Sequence, residues 1–270
     1  MASGDYAFIY DDLLTDKRHA QALAEIEARL TSLDVQGRIA RLALFRSARD
    51  LIESMVNQGV RTIVVVGNDR TLDKVMWFAP DLNVTIGYIP VAPPFSVAEL
   101  LGIPVGPKAC DVLAARLIET IDMGRFHDRY FLTEVNVSRT VASVDIEGKY
   151  RISPSNGGSI TIRNLGGLEG QSSNAKDGLL EVIVTAEDPG RRSFFSRKKP
   201  SETRMLISHG ELVSVDPMDV RVDGTILNGF RFAIGIRPDT LRVITGRARR
   251  LNFAQEVNRR FLPGAKISGV

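Results

Sequence analysis

The chain has 270 residues, 44% hydrophobic and 25% charged, with 35 Lys and Arg against 32 Asp and Glu and a formal net charge of +3. This is the composition of a globular protein with a sizeable core, which excludes general disorder, and the charge excess is too small to indicate nucleic acid. Cys110 is the single cysteine, so no intrachain disulfide exists, and with three histidines a Cys/His metal centre is not expected. No apolar run approaches the roughly 20 residues of a bilayer span, and Met1-Ala2-Ser3-Gly4-Asp5 lacks the basic and apolar parts of a signal peptide. The cytoplasm is the expected compartment, with any membrane contact made from the surface.

The first half alternates strand and helix signals. Tyr6 to Tyr10 reads as a strand, and Lys17 to Leu33 as an amphipathic helix with Ala20, Leu23, Ala24, Ile26 and Leu30 on its apolar side and Thr15 as N-cap. Arg38 to Leu44 alternates as a strand, and Ala48 to Gln58 forms a helix ended by Gly59. Strands follow at Thr62 to Val66 and Val84 to Ile89, then a helix over Lys108 to Glu119. Such alternation predicts a parallel sheet covered on both faces, with sites at the carboxyl ends of its strands. From about Phe126 the pattern becomes short runs between Gly, Asn and Pro: Tyr130 to Val137, Ala142 to Ile146, Ser159 to Leu165, Leu179 to Val184 and Thr203 to Ser208. This pattern predicts an antiparallel β-sandwich, with hairpin turns at Glu147-Gly148-Lys149 and Asn156-Gly157-Gly158. The expected architecture is therefore α/β plus β: a doubly wound α/β domain over 1–125, a β-sandwich over 126–250, and a segment over 251–270 that packs back on the first domain, helical from Asn252 to Phe261.

The richest local signal is Thr62-Ile63-Val64-Val65-Val66-Gly67-Asn68-Asp69-Arg70-Thr71, a β-branched strand breaking into a polar loop and a helix start. A strand, a glycine turn and a helix N-terminus present backbone N–H groups and a positive helix end to an anion. Gly67, Asn68, Asp69, Arg70 and Thr71 are thus the candidate phosphate-contacting residues. Arg70 stands where close backbone approach favours glycine, and either offers its guanidinium to a phosphate or fills the pocket, occlusion being the expectation.

Gly67-Asn68-Asp69-Arg70-Thr71-Leu72-Asp73-Lys74-Val75 resembles the GGDGTxNEV signature of the diacylglycerol kinase-like lipid kinases, matching at Gly67, Asp69, Thr71, Leu72 and Val75. Asn68 and Arg70 replace glycines, and Asp73 and Lys74 replace Asn and Glu. Ile86-Gly87-Tyr88-Ile89-Pro90 is similar to the family's GIIP strand and Leu101-Gly102-Ile103-Pro104 to its LGIP segment, but Ala92 to Glu99 replaces its GTGNDFAR loop. Further resemblances follow in family order at Ile121-Asp122-Met123-Gly124, Arg129 to Leu132, Lys176 to Val182 (DDGLLDV), Val222 to Thr225 (the DGE turn) and Pro238 to Val243. Matches running through the second half favour this family over the more remote NAD kinases.

The resemblance implies an ATP- and Mg²⁺-dependent lipid kinase that moves a phosphoryl group to a diacylglycerol-like hydroxyl. Asp69 and Thr71 would then contact nucleotide or Mg²⁺, Asp177 would help hold a structural Mg²⁺, and Asp223 would act as general base. Each has a plain alternative: Asp69 as a helix N-cap, Asp177-Gly178 as a turn, Asp223-Gly224 as a hairpin turn. Asn68, Arg70, the replaced loop and Thr225, in place of the DGE glutamate, support the alternative of an inactive pseudokinase that binds a lipid, an anion or a protein. Arg191-Arg192-Ser193-Phe194-Phe195-Ser196-Arg197-Lys198-Lys199 sets two aromatics in a basic cluster, which reads as a peripheral membrane contact or a solvated loop. Arg247, Arg249, Arg250, Arg259 and Arg260 crowd the end of the chain. His19, His127 and His209 lie near no nucleophile motif, and Cys110 reads as buried and inert.

Overall fold

The computed structural model describes residues 6–42, 47–138, 140–166, 174–186 and 201–251. Four strands, β1 (Tyr6–Asp11), β2 (Arg38–Leu42), β3 (Thr62–Gly67) and β4 (Thr85–Pro90), run parallel in the order β2-β1-β3-β4. Every residue of β3 and β4 is buried, which explains their unbroken apolar runs: helices cover both faces. Five helices flank them: α1 (Ala20–Ser32), α2 (Ala48–Asn57), α3 (Asp69–Met76), α4 (Ser96–Leu100) and α5 (Lys108–Ala115). α1 packs on α5, where Ile26 and Leu30 point inward and Cys110 Sγ lies 3.8 Å from Ile26 O, whereas α2, α3 and α4 pack in succession. Among the described residues no helix is long and apolar enough to cross a membrane. After β2 the chain steps back over β1 to form β3, so the connections leaving β1 and β3 diverge. That is the topological switch point of an open α/β sheet, and Asp11 and Gly67 end the two strands there.

The rest is largely antiparallel: β5 (Ile118–Phe126), β6 (Arg129–Phe131), β7 (Glu134–Val137), β8 (Ser143–Ile146), β9 (Tyr150–Ile152), β10 (Ser159–Arg163), β11 (Leu180–Thr185), β12 (Glu202–Ile207), β13 (His209–Val222) and β14 (Thr225–Ile244). Hydrogen-bonded neighbours follow the path β12-β11-β10-β7-β13-β14, while β5 and β6 extend from β14 and β8 and β9 from β13. Register shifts between Val213 and Met218 and between Arg237 and Leu241 bend the two long strands, so both serve more than one set of neighbours. Arg242 and Val243 pair in parallel with Thr85 and Ile86 of β4, joining both halves in one 14-stranded sheet. Phe126, Phe131 and Phe232 anchor the core of the antiparallel half, and Ile121, Met123 and Leu241 belong to the core of the parallel half. Thus β5 and β14 are rooted in both.

Local chemistry accounts for the departures from expectation. The last helix of the first half stops at Ala115, because Arg116 turns left-handed (φ +52°), and Ile118 and Glu119 open β5. Thr15 does not cap a helix: its hydroxyl donates to Asp12 O, and Asp16 caps the short 3₁₀ turn Lys17–His19. Glu147 and Gly148, both at positive φ, make the expected hairpin between β8 and β9. Asn156-Gly157-Gly158 makes none, since β9 and β10 pair with other strands. The Arg191 to Lys199 cluster and the Asn252 to Phe261 segment lie outside the described residues.

Gly124 is required by packing, since a Cβ there would enter the Phe131 ring. Gly124→Ala is expected to destabilise the fold by about 1–3 kcal/mol, as over-packing of a filled core does. A denaturant midpoint matching that of the parent protein would exclude this.

Candidate functional site

The switch point is built by β1, β3, the start of α3 and the loop entering α4. Asn68 is the N-cap of α3: its Oδ1 accepts from Thr71 N at 3.1 Å, and its Nδ2 donates to Pro93 O at 3.2 Å. Leu72 N donates to Asn68 O at 3.1 Å, and Asp69 N to Pro94 O at 3.3 Å. The Thr71 hydroxyl donates to Asp11 Oδ2. Gly67 fits beneath this group because a Cβ there would lie 2.9 Å from Thr71 Oγ1 and 3.1 Å from Asp11 Cβ. Two end N–H groups of the helix start, those of Asp69 and Thr71, are therefore bonded within the protein, and a carboxylate stands beside them. Arg70 does not occlude the crevice as expected: its side chain is exposed, and Asn68, Thr71 and Asp11 provide the filling. Asp69 is not the N-cap, a role that falls to its neighbour.

Asp69 turns inward from the loop. Its Oδ1 accepts from Tyr88 OH at 3.0 Å and its Oδ2 from Val97 N at 2.9 Å, linking α3 to β4 and to the start of α4. Burial raises its pKa, opposed by these hydrogen bonds. Four residues on, Asp73 occupies the same buried side of α3, only 5% exposed, and its Oδ1 has no hydrogen-bond partner among the described residues. Burial first, then the charges of Asp223 and Asp69, push the Asp73 carboxyl up to about 9, so at neutral pH it carries its proton.

Asp223 approaches α3 from the β13–β14 hairpin. It and Gly224 adopt positive φ, +45° and +99°, as the two central residues of such a turn. The turn backbone is partly exposed, but the carboxylate faces inward and takes four hydrogen bonds. Oδ2 accepts from Leu132 N at 2.6 Å, and Oδ1 from Thr133 N at 2.9 Å, Thr133 Oγ1 at 2.5 Å and Glu134 N at 3.0 Å. Here the strand expected over Tyr130 to Val137 breaks into β6 and β7. Burial raises the Asp223 pKa against the pull of these donors.

Asp177 is not drawn into this group. Its Oδ1 accepts from Leu179 N at 3.0 Å, and Gly178 N donates to Asp122 Oδ2 at 2.8 Å. Asp122, on β5, also accepts from Asp239 N at 2.9 Å and lies buried at the centre of this joint. Burial raises the Asp177 pKa, with Asp122 adding to the shift, and pushes the Cys110 thiol up to about 11. Among the described residues no group of three His, Cys, Asp or Glu is arranged to hold a metal ion. Sequence reasoning missed Asp11, Asp73 and Asp122. Asp73 left a signal, being spaced four residues from Asp69 on a helix whose buried side also carries Thr71, Leu72, Val75 and Met76, and Asp122 lay in a resembling strand without being marked as a site.

Neither a family model nor a curated protein matches the chain by sequence. Solved structures from Bacillus anthracis str. Sterne do match by fold. A diacylglycerol kinase is 15% identical with a TM-score of 0.71, the alignment covering 92% of this chain and 99% of that one. Two proteins provisionally designated diacylglycerol kinases give 13% identity and 0.76 over 91% and 98%, and 14% and 0.74 over 92% and 99%. Across nearly its whole length, this chain has the fold of those diacylglycerol kinase structures.

Proposed function

We propose that this chain is a non-catalytic protein of the diacylglycerol kinase fold, a module that binds a lipid, an anion or a protein and transfers no phosphoryl group. The observation that carries the reading is the self-bonded switch point. A phosphate there needs free N–H groups at the helix start and freedom from negative charge. Thr71 N is bonded to Asn68, Asp69 N to Pro94 O, and the Asp11 carboxylate holds Thr71. ATP and Mg²⁺ do not fit these residues. A base role for Asp223 is unsupported for a similar reason, because its oxygens are already taken by four donors.

The rival reading, an ATP- and Mg²⁺-dependent lipid kinase, has one observation in its favour: Asp69, Asp73 and Asp223 interact where the two halves meet. Thermal unfolding with and without millimolar MgATP separates the two. No shift beyond that given by the same concentration of pyrophosphate is expected, whereas a nucleotide present at 100 times its dissociation constant would stabilise the fold by about 2.7 kcal/mol. A clear upward shift, followed by transfer of labelled phosphate to diacylglycerol in mixed micelles, would restore the kinase.

A further inference from the structure

At the opposite end of α3 from the switch point, basic and aromatic side chains gather on one face of β5, β6 and β14. Arg125 stands opposite Tyr130 on β6 and Gly235 on β14, and Gly235 stands opposite His209 on β13. Directly paired residues share a face, and Arg237, two residues beyond Gly235, lies on it as a diagonal neighbour of Arg125. Arg237 Nη1 donates to Tyr130 OH at 3.0 Å, and Arg125 Nε donates to His127 O at 3.3 Å. Both guanidinium groups act electrostatically on the Tyr130 phenol. Tyr130 OH in turn donates to Asp81 Oδ1 at 2.9 Å, and Arg129 stacks 4.3 Å over the Trp77 ring, so the floor of the cluster is tied to the first half.

Arg125 and Arg237 are both exposed, and neither has a carboxylate within ion-pair distance among the described residues, unlike Arg129 with Asp128 and Arg231 with Glu211. Beyond the bonds above, Arg125 keeps its two terminal nitrogens, and Arg237 keeps Nε and Nη2 as donors. Between them the surface is open: a Cβ on Gly235 would meet only Ser208 O, at 3.8 Å.

We propose that this face binds a phosphate group, clasped by Arg125 and Arg237 above Gly235. Paired guanidinium forks match phosphate oxygens in a way single ammonium groups do not. Two parallel arms of one experiment on the full chain at low ionic strength distinguish two sources of the phosphate. One arm titrates pyrophosphate calorimetrically. The other sediments the protein with phosphatidylcholine vesicles that contain or lack phosphatidic acid. Binding in the first arm identifies a soluble phosphate, and binding only to vesicles with phosphatidic acid identifies a lipid headgroup. In whichever arm binds, Arg125→Ala and Arg237→Ala are each expected to weaken affinity about tenfold. Gly235→Val, which fills the floor without removing charge, should weaken it comparably, and Arg231→Ala, whose side chain is paired with Glu211, should leave it unchanged. Thermal unfolding of each variant verifies that the fold is retained. No binding in either arm overturns the proposal, and so does binding that Arg125→Ala, Arg237→Ala and Gly235→Val all leave intact, the result expected of an anion lodged at the switch point.

Discussion

Asp73→Asn is expected to stabilise the fold by a few kcal/mol at neutral pH and to flatten its dependence on pH. In the unfolded chain the Asp73 carboxyl ionises at its ordinary value of 3.8, whereas in the folded protein burial beside Asp223 and Asp69 holds the proton on up to about pH 9. The folded-state pKa is the raised one, so the stability tied to this proton is fully present below about pH 4. It is lost as pH rises toward 9, at about 1.4 kcal/mol per pH unit, and no further loss follows above that. Asparagine mimics the neutral acid and keeps one donor group at the position, without taking up a proton on folding. Urea unfolding at pH 5, 7 and 9 reads the difference directly: the parent's stability should fall across the series, and the variant's should fall much less. Asp69, Asp177 and Asp223 also have raised values and contribute in the same direction, so a residual slope is expected in the variant. Parallel curves for the two proteins would mean that Asp73 is ionised in the folded state.

Much of the fold is legible in the chain because its strongest signals are periodic. The run Thr62 to Val66 has no polar residue to place toward solvent after its first threonine, which requires cover on both faces, and the helical patterns before and after it supply that cover. Beyond Phe126, alternation such as that of Ser159 to Arg163, with Ile160 and Ile162 buried, marks strands with one face on a core. Boundaries were less legible. Leu132 is apolar and Thr133 β-prone like the strand residues around them, yet they interrupt a strand because their amides turn to a carboxylate some 90 positions away.

The same distinction governs the candidate site. The loop from Gly67 to Thr71 is visible as a departure from a pattern, and Arg70, standing where glycine is favoured, predicts that backbone approach is impaired. What closes the crevice is partly Asp11, which looks like an ordinary residue after an N-terminal strand. It meets Thr71 only because β1 and β3 are neighbours in the sheet, a pairing that topology creates and local sequence does not encode. The Arg70 side chain, expected to fill the pocket, is exposed at the start of α3, and the small side chains of Asn68 and Thr71 do the filling. Asp223 shows how two readings of one residue can coincide in space: the Asp-Gly pair makes a hairpin turn, and the turn aims the carboxylate at a buried joint.

That joint carries the second large effect, the loss expected from Asp223→Ala. Three backbone N–H groups and the Thr133 hydroxyl converge on the carboxylate, and alanine would leave them unpaired at the break between β6 and β7. Hydrogen bonds to a charged acceptor contribute about 1.5–3 kcal/mol each and do not simply add, so a total loss of roughly 3–5 kcal/mol is expected. Part of the effect of any substitution comes from the backbone, because residue 223 sits at φ +45°, where Asp and Asn are tolerated better than Ala. Asp223→Gly isolates this contribution, since glycine adopts the conformation freely and still removes the acceptor. Asp223→Asn keeps both the conformation and one acceptor oxygen, while turning an amide toward donors it cannot accept. The expected order of stability is parent, then Asn, then Gly, then Ala, with the step from parent to Gly larger than that from Gly to Ala. If Gly instead matched the parent in chemical denaturation, the turn conformation alone would account for Asp223, and the carboxylate could not be what fastens the hairpin to the β6–β7 junction beside α3.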